Sequence, residues 1–328
     1  EILIGLVGSE MCIRDRLIYS LKVGACLAVF YLFFKLLLSR ETFHRLNRAV
    51  VLGALLLSFV LPLCVITVYR EAPVLPEIRP ALLAAAAEDA AGRAAEPAFP
   101  WERLAGGVFL LGAAAVLLRT LWSLGCVARL IRSGRRERQT DGVVLVRSDR
   151  VAAPFSWGRY IVLPERGRGE DEEVILIHER AHLRLRHSLD LLAADLAGCL
   201  QWFNPAMWLL RREIRAIHEY EADEAVLASG VDARSYQLLL VRKAAGGRWY
   251  PVANSFNHSK LKKRITMMLR KKSSRWAGAR ALLLLPLAGL ALGAFAETAY
   301  VFPERYGDLT GETGRLPGGA ESGDVPDS

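Results

Sequence analysis

Cysteine is scarce in this chain and never clustered. The five cysteines occur singly, at Cys12, Cys26, Cys64, Cys126 and Cys199. A disulfide framework or a cysteine-ligated zinc module needs cysteines in groups at short spacings. The sequence therefore predicts neither, and a metal site has to use other side chains.

Patterns typical of nucleic-acid recognition are also missing. The net charge of +9 comes mostly from arginines and lysines beside apolar segments, where they attract anionic lipid headgroups. No recognition-helix or zinc-finger pattern accompanies the charge. We therefore expect contact with membrane lipid and no direct binding of nucleic acid.

Charged residues are nearly absent from four long apolar segments, which argues against the buried core helices of a soluble protein. Each segment can cross about 30 Å of hydrocarbon as a helix. Lys35 is expected to extend its amine toward an interface, whereas Arg119 either does the same or pairs inside the helix bundle. The segments are 17–38, 49–68, 104–127 and 276–296.

The distribution of basic residues predicts the orientation of these segments. Basic residues cluster in the link 39–48, in residues 129–138 and in residues 260–280. Since short cytoplasmic segments are enriched in lysine and arginine, these regions should face the cytoplasm. The N-terminus and the acidic tail are then outside.

The most specific pattern is His178-Glu179-Arg180-Ala181-His182. On a helix, His178 and His182 lie on one face and can bind one Zn2+ ion, while Glu179 lies beside the open position as the predicted catalytic base. With six histidines and 34 acidic residues in the chain, the pattern arises by chance only about 0.01 times. The alternative is a solvated helix turn that binds no metal.

A second helix, predicted over residues 211–229, supplies a third ligand. Glu219 and Asp223 share one face. We expect Glu219 to bind the metal and Asp223 to accept a hydrogen bond from the other ring nitrogen of a ligand histidine. Glu221 is the competing third ligand, and Glu224 is a weaker one.

The zinc helix should begin near residues 170–173 and continue to about residue 200, which makes His187 a surface residue on the far side. A small sheet precedes it, with strands near residues 142–146 and 159–163. The second strand is either an edge that pairs with an extended peptide substrate or a purely structural strand.

Together these features predict a mainly α multi-pass membrane protein with four transmembrane helices. A cytoplasmic zincin-type α+β metallopeptidase domain lies between the third and the fourth. Residues 1–16 resemble a translated sequencing adapter and are set aside. The further divisions are two transmembrane helices in 17–69, an external loop in 70–103, the third helix in 104–128, the peptidase domain in 129–275, the fourth helix in 276–296 and a disordered external tail in 297–328.

In the order and spacing of its motifs, the chain resembles the BlaR/MecR-type signal-transducing membrane metallopeptidases over residues 17–296. The resemblance implies His178, His182 and Glu219 as zinc ligands and Glu179 as the catalytic base. It also implies a place in the bacterial cytoplasmic membrane, a cytosolic protein substrate such as a transcriptional repressor, and self-cleavage. The motifs are the zinc pentapeptide, Trp202-Phe203-Asn204-Pro205, Glu219-Tyr220-Glu221-Ala222-Asp223-Glu224 and Leu261-Lys262-Lys263-Arg264-Ile265.

Two departures from that family keep alternatives open. Members that sense β-lactams carry an external penicillin-binding domain after the fourth helix, and only a short polar tail follows here. The resemblance therefore does not extend to antibiotic sensing, and the open sources of the signal are the external loop, a partner or a domain lost through truncation. Ala222 stands where the family often has cysteine, which resembles the Glu-x-x-Ala-Asp pattern of membrane quality-control zinc proteases. A quality-control protease is therefore one alternative, and a non-catalytic membrane receptor is another.

Overall fold

The computed structural model describes residues 2–64, 67–71, 101–165, 171–245, 251–295 and 297–301, and it is mostly helical. It divides into one unit of residues 1–64 and 100–292 and a second of residues 65–99 and 293–328. In chain order the elements are α1 (Ile2–Leu37), α2 (His44–Val60), β1 (Thr67–Glu71), α3 (Trp101–Ser133), β2 (Arg135–Arg138), β3 (Val144–Ser148), β4 (Phe155–Trp157), β5 (Tyr160–Pro164), α4 (Glu172–Arg184), α5 (His187–Leu200), α6 (Pro205–Ala228), α7 (Ala233–Ala245), α8 (Pro251–Met268), α9 (Arg275–Ala279), α10 (Leu284–Ala294) and β6 (Glu297–Val301).

Four helical stretches are long and apolar enough to cross a membrane, as predicted from the sequence. They are Arg14–Leu37, His44–Leu63, Trp101–Ser133 and Trp276–Ala294. The second ends earlier than the predicted residue 68. Pro62 lies in a short 3-10 turn that follows α2, and strand β1 begins at Thr67.

The smaller unit contains a two-stranded parallel sheet. Strand β1 pairs with β6, with Thr67 opposite Glu297. The prediction of a disordered tail is therefore wrong for residues 297–301. The rest of the predicted tail, and residues 72–100 of the predicted external loop, lie outside the described residues.

The larger unit contains a four-stranded mixed sheet in the order β2-β3-β5-β4. Strands β3 and β5 are parallel, and β4 turns back onto β5 through Gly158, whose φ of +61° suits glycine. The predicted edge strand at residues 159–163 is thus wrong, because β5 has a strand on each side. The open edges among the described strands belong to β2 and β4.

Both faces of this sheet are covered, which explains the nearly continuous apolar runs of β3 and β5. Val146 and Val162 pack with Ile131 from the end of α3. On the opposite face, Ile161 and Leu163 pack against the zinc-motif helix α4. The sheet therefore connects the third apolar helix to the helix that carries the two motif histidines.

The predicted long zinc helix is two helices. Helix α4 ends at Arg184, and Arg186 adopts a left-handed conformation with φ of +57° before α5 begins at His187. Few residues other than glycine adopt this conformation readily. The turn reverses the direction in which His187 projects, so the expectation of a surface histidine is wrong: its exposed fraction is 3%.

Helices α5 and α6 form a hairpin that packs on α1, α2 and α3. Asn204 caps α6 by accepting a hydrogen bond from the backbone N–H of Ala206, with Pro205 in the first turn. At the tip, Gln201 donates to the Ser20 carbonyl at 2.9 Å, and Trp202 donates to the Phe109 carbonyl at 3.2 Å. The hairpin tip is therefore anchored to α1 and α3.

Lys35 and Arg119, which lie inside apolar helices, have different surroundings. Lys35 forms an ion pair with Glu213 of α6 at 2.6 Å, so it pairs within the protein, contrary to the expectation. Arg119 lines a cavity beside α3. It has no ion-pair partner among the residues that the structure describes.

Candidate metal centre

Helices α4 and α6 bring the three predicted ligands together. The Nε2 atoms of His178 and His182 are 3.2 Å apart, and His178 Nε2 is 3.6 Å from Glu219 Oε2. The three ligand atoms lie within 4.8 Å of one another. Two nitrogens held at ~2.0–2.1 Å by a tetrahedral zinc ion are about 3.3 Å apart. The donor set and its spacing therefore fit Zn2+.

The protonation states of the ligands also suit a cation. Burial, followed by the neighbouring His178, lowers the pKa of His182 to about 3, which keeps its ring neutral. Burial alone would raise the pKa of Glu219, but the nearby His178 ring and the charge of Arg264 lower it to about 2. Neutral imidazole and ionised carboxylate are the forms that bind metal.

Glu179 lies next to this cluster without belonging to it. Its side chain is buried, and burial raises its pKa above that of an exposed carboxyl group. Ser156 of strand β4 lies close to it and opposes this rise. A buried carboxylate with a raised pKa can accept and return a proton, which is the role that the sequence predicts for Glu179.

The second ring nitrogen of His178 is supported by a hydrogen-bonded chain. Its Nδ1 is 3.0 Å from the Tyr236 hydroxyl and 3.5 Å from Asp223 Oδ1. The hydroxyl donates to Asp223 at 2.7 Å, so it accepts from the His178 Nδ1–H. Arg264 donates twice to Asp223, at 2.9 and 2.5 Å, and lies 2.8 Å from Glu219. Asp223 thus reaches His178 chiefly through Tyr236.

The second ring nitrogen of His182 begins another chain. Its Nδ1 lies 2.7 Å from Nδ1 of His187, and His187 Nε2 lies 2.8 Å from Glu221. If Nε2 of His182 faces the metal, His182 donates to His187, which in turn donates to Glu221. Arg48 of α2 completes the chain, 3.4 Å from Glu221. Glu221, the competing third ligand in the sequence analysis, is therefore used to hold His187.

Arg48 has two further partners in the same region. It donates to Asp190 at 2.7 Å and to the Leu185 carbonyl at 2.6 Å. Asp190 also lies 2.8 Å from Nε2 of His218, whose ring stacks on His187 with centroids 3.9 Å apart. The N-terminal part of an apolar helix is thus joined to His182, a predicted ligand, through buried polar groups.

The site residues that were not identified from the sequence include Arg48, His187, Tyr236 and Arg264. Arg264 and Tyr236 lie on α8 and α7, and Arg48 lies 130 residues before His178 in the numbering. Local periodicity gives no signal for such contacts. Arg264 was at least part of a motif that carried the family resemblance.

Strand β4 forms one wall beside Glu179. Its Ser156 contacts that carboxylate, and β5 is its only strand neighbour among the described residues. The outer edge of β4 therefore presents backbone groups next to the predicted base. The edge strand beside Glu179 is thus β4, which the sequence analysis did not identify, and not residues 159–163.

Comparison with known proteins gives two matches. Residues 111–268 match the family model described as BlaR1 peptidase M56. The regulatory protein BlaR1 of Bacillus licheniformis is 29% identical over 142 residues, which cover 37% of this chain and 24% of the relative. The aligned part thus spans about a quarter of that relative. The matched family region contains α4 to α7 and all the residues of the metal cluster.

Proposed function

We propose that this protein is a membrane-embedded zinc metalloendopeptidase acting in signal transduction, a role supported by the similarity of residues 111–268 to the BlaR1 peptidase M56 family. The observation that carries the proposal is the grouping of His178, His182 and Glu219 within 4.8 Å. Its substrate is a cytosolic regulatory protein such as a transcriptional repressor, and self-cleavage belongs to the same chemistry. The zinc site faces the cytoplasm of a bacterial cell, with the N-terminus outside.

His178, His182 and Glu219 would hold the zinc ion, which supplies Lewis acidity and lowers the pKa of water toward ~7. Glu179 accepts a proton from the attacking water. It then donates this proton to the leaving amine nitrogen as the peptide bond breaks. Burial of Glu179 favours both steps, because a raised pKa brings the carboxyl group closer to neutral pH.

The substrate backbone is proposed to pair with the outer edge of β4. An extended peptide added to an edge strand makes main-chain hydrogen bonds with little dependence on sequence. Pairing there brings the scissile bond beside Glu179, because Ser156 of the same strand already contacts that side chain.

A signalling role is favoured over quality control by the position of Arg48. This residue belongs to the candidate span His44–Leu63, and it contacts both Asp190 and Glu221. A movement of α2 would therefore change the support of His182. A housekeeping protease has no need for such a connection.

The proposal is tested with Glu179→Gln and with Glu173→Gln, an exposed control on the same helix. Glu179→Gln should keep its zinc and lose cleavage by about 10²–10⁴-fold, whereas Glu173→Gln should retain both. Cleavage is read as new N-termini in the proteome of cells that make each protein. Persistent cleavage by Glu179→Gln contradicts the proposal. The absence of cleavage by the wild type also contradicts it and favours a non-catalytic receptor.

The third ligand is tested in the same preparations by elemental analysis. Glu219→Ala should lower the zinc content, because it removes a ligand, while the exposed Glu224→Ala should not. Full zinc occupancy in Glu219→Ala, together with loss of zinc in Glu221→Ala, would transfer the assignment to Glu221.

A further inference from the structure

A cavity of about 190 Å³ with a mixed polar and apolar lining lies beside the third apolar helix. It is bounded by α3, α5, α6 and strand β4. Half of its polar lining residues are arginines, and the apolar part of the wall consists of two tryptophans and four aliphatic residues: Trp157, Trp208, Val116, Leu124, Val127 and Leu191. The polar residues that line it are Arg119, Thr120, Ser123, Asp195, Arg211 and Arg215.

The charges in this cavity are unbalanced. Asp195 forms an ion pair with Arg211. Neither Arg119 nor Arg215 forms an ion pair with any residue that the structure describes. Burial, and then the nearby charges of Arg211 and Arg119, lower the pKa of Arg215, with Asp195 opposing them. Guanidinium groups nevertheless stay charged at neutral pH, so two positive charges are left without a counter-ion.

The surroundings make this imbalance costly. Arg119 lies in the candidate span Trp101–Ser133, whose neighbouring side chains Leu118 and Leu121 are more than half exposed. Exposed leucines on such a helix face hydrocarbon in a bilayer, and an arginine at that depth needs an anionic partner or access to the interface. Asp195 is the single carboxylate among the residues that line the cavity, and it is already paired with Arg211.

We propose that this cavity binds the phosphate group of an anionic ligand, with Arg119 and Arg215 as its principal donors and a phospholipid headgroup of the inner leaflet as its source. Guanidinium groups match phosphate oxygens with paired hydrogen bonds, and basic pockets between membrane helices select anionic headgroups. Trp157 and Trp208 suit the headgroup level, where tryptophan is enriched.

Occupancy of this site would connect the third span to the catalytic sheet. Trp157 belongs to β4, the strand whose Ser156 contacts Glu179. A ligand held between α3 and Trp157 therefore contacts the residue that directly follows Ser156, which lines the proposed active site. The inference itself rests on the placement of α3 in a membrane and not on hydrolysis, so either can fail without the other.

The site is tested with the full chain in nanodiscs of equal parts phosphatidylglycerol and phosphatidylcholine, with retained lipids counted by native mass spectrometry. Wild type should retain phosphatidylglycerol in preference to phosphatidylcholine. Arg119→Gln and Arg215→Gln should each reduce that retention about tenfold. Arg212→Gln, on the same helix α6 but outside the cavity and exposed, should behave as wild type.

Three controls make the result decisive. Thermal melting of each sample reports whether the fold survives, and Arg119→Lys and Arg215→Lys, which keep the charge, should retain part of the preference. A third outcome is that inorganic phosphate binds the wild type but neither glutamine variant, while no sample prefers either lipid. This outcome would support the phosphate site and assign it to a soluble ligand. Equal retention of both lipids by all variants, with no phosphate binding, would overturn the proposal.

Discussion

Tyr236 is the residue on which the orientation of His178 depends most directly. Its hydroxyl lies between the His178 ring and the Asp223 carboxylate. Groups that hydrogen-bond to a metal-binding histidine fix its tautomer and raise its basicity. Tyr236 is buried as well. Water therefore cannot easily take the place of its hydroxyl group between His178 and Asp223.

Tyr236→Phe should therefore weaken zinc binding by about 10–100-fold with little loss of packing. Tyr160→Phe, on strand β5 and away from the cluster, is the matched control and should leave zinc binding unchanged. Both affinities are measured by competition with a chelator of known affinity. An unchanged affinity in Tyr236→Phe would mean that Asp223 orients His178 directly across 3.5 Å.

The residues of the metal cluster were the most predictable part of the site. His178 and His182 are separated by one helical turn, and the sequence alone places them on one face. His187 was misjudged because nothing in Leu185-Arg186-His187 marks a helix break: neither glycine nor proline is present. Arg48 and Tyr236 could not be foreseen, since their contacts depend on how distant helices pack.

At the scale of elements, the junction between α4 and α5 decides where His187 points. The left-handed Arg186 makes this junction without glycine, and a non-glycine residue pays roughly 1–2 kcal/mol for that conformation. The structure retains an unfavourable backbone geometry beside the ligand His182. Strain of this kind persists where the surrounding contacts require it.

Substitutions at Arg186 should reveal this strain. Arg186→Gly should preserve zinc affinity and thermal stability, whereas Arg186→Val should lower the free energy of unfolding by about 1–2 kcal/mol and weaken zinc binding. Arg184→Val, in the regular part of α4 and also exposed, should cost only about 0.5 kcal/mol. Thermal melting in detergent measures the stabilities. Equal effects of the two valine substitutions would show that the turn is unimportant.

Helix α2 is the element that links an apolar span to the metal ligands. Arg48→Met leaves Asp190 and Glu221 without their shared cation, and removing one partner of a buried pair typically costs about 3–5 kcal/mol. We expect zinc affinity to fall at least tenfold through misplacement of His187. Arg45→Met, which changes an exposed residue of the same helix, is the control, and chelator competition is the measurement. Equal zinc affinities of the two variants would show that α2 does not support the metal site.

The sheet shows the limit of prediction at this scale. Its apolar runs identified β3 and β5 as strands, but strand order cannot be read from runs that are buried on both faces. The three-residue strand β4 has too few residues for a clear alternation. It nevertheless converts β5 from an edge into a central strand.

At the scale of the whole molecule, the orientation in the membrane is the prediction with the widest consequences. Outward placement of the N-terminus puts Cys64, just after α2, at the external surface and Ser133, the last residue of α3, in the cytoplasm. Both positions are exposed. The proposed access of cytosolic substrates depends on this arrangement.

Single-cysteine proteins test the orientation. A protein that keeps only Cys64 should react with a membrane-impermeant maleimide in intact spheroplasts, and one with only Ser133→Cys should react in inverted vesicles. A cysteine-free protein gives the background. The reverse pattern would place the metal site outside the cell and exclude a cytosolic substrate.

The contact between Trp202 and Gly112 fixes how the molecule can move. Any side chain at Gly112 would collide with the Trp202 ring, so the indole sits in a notch that only glycine leaves open, while its N–H holds the Phe109 carbonyl. If the α5–α6 hairpin moved along α3 by one helical turn, the Trp202 ring would leave Gly112 and lose this contact. From Pro205, just beyond the tip, α6 runs roughly 21 Å to Glu219. A displacement of the third span would thus move the N-terminal end of α6, and this rigid helix would transmit the displacement to Glu219, the predicted metal ligand.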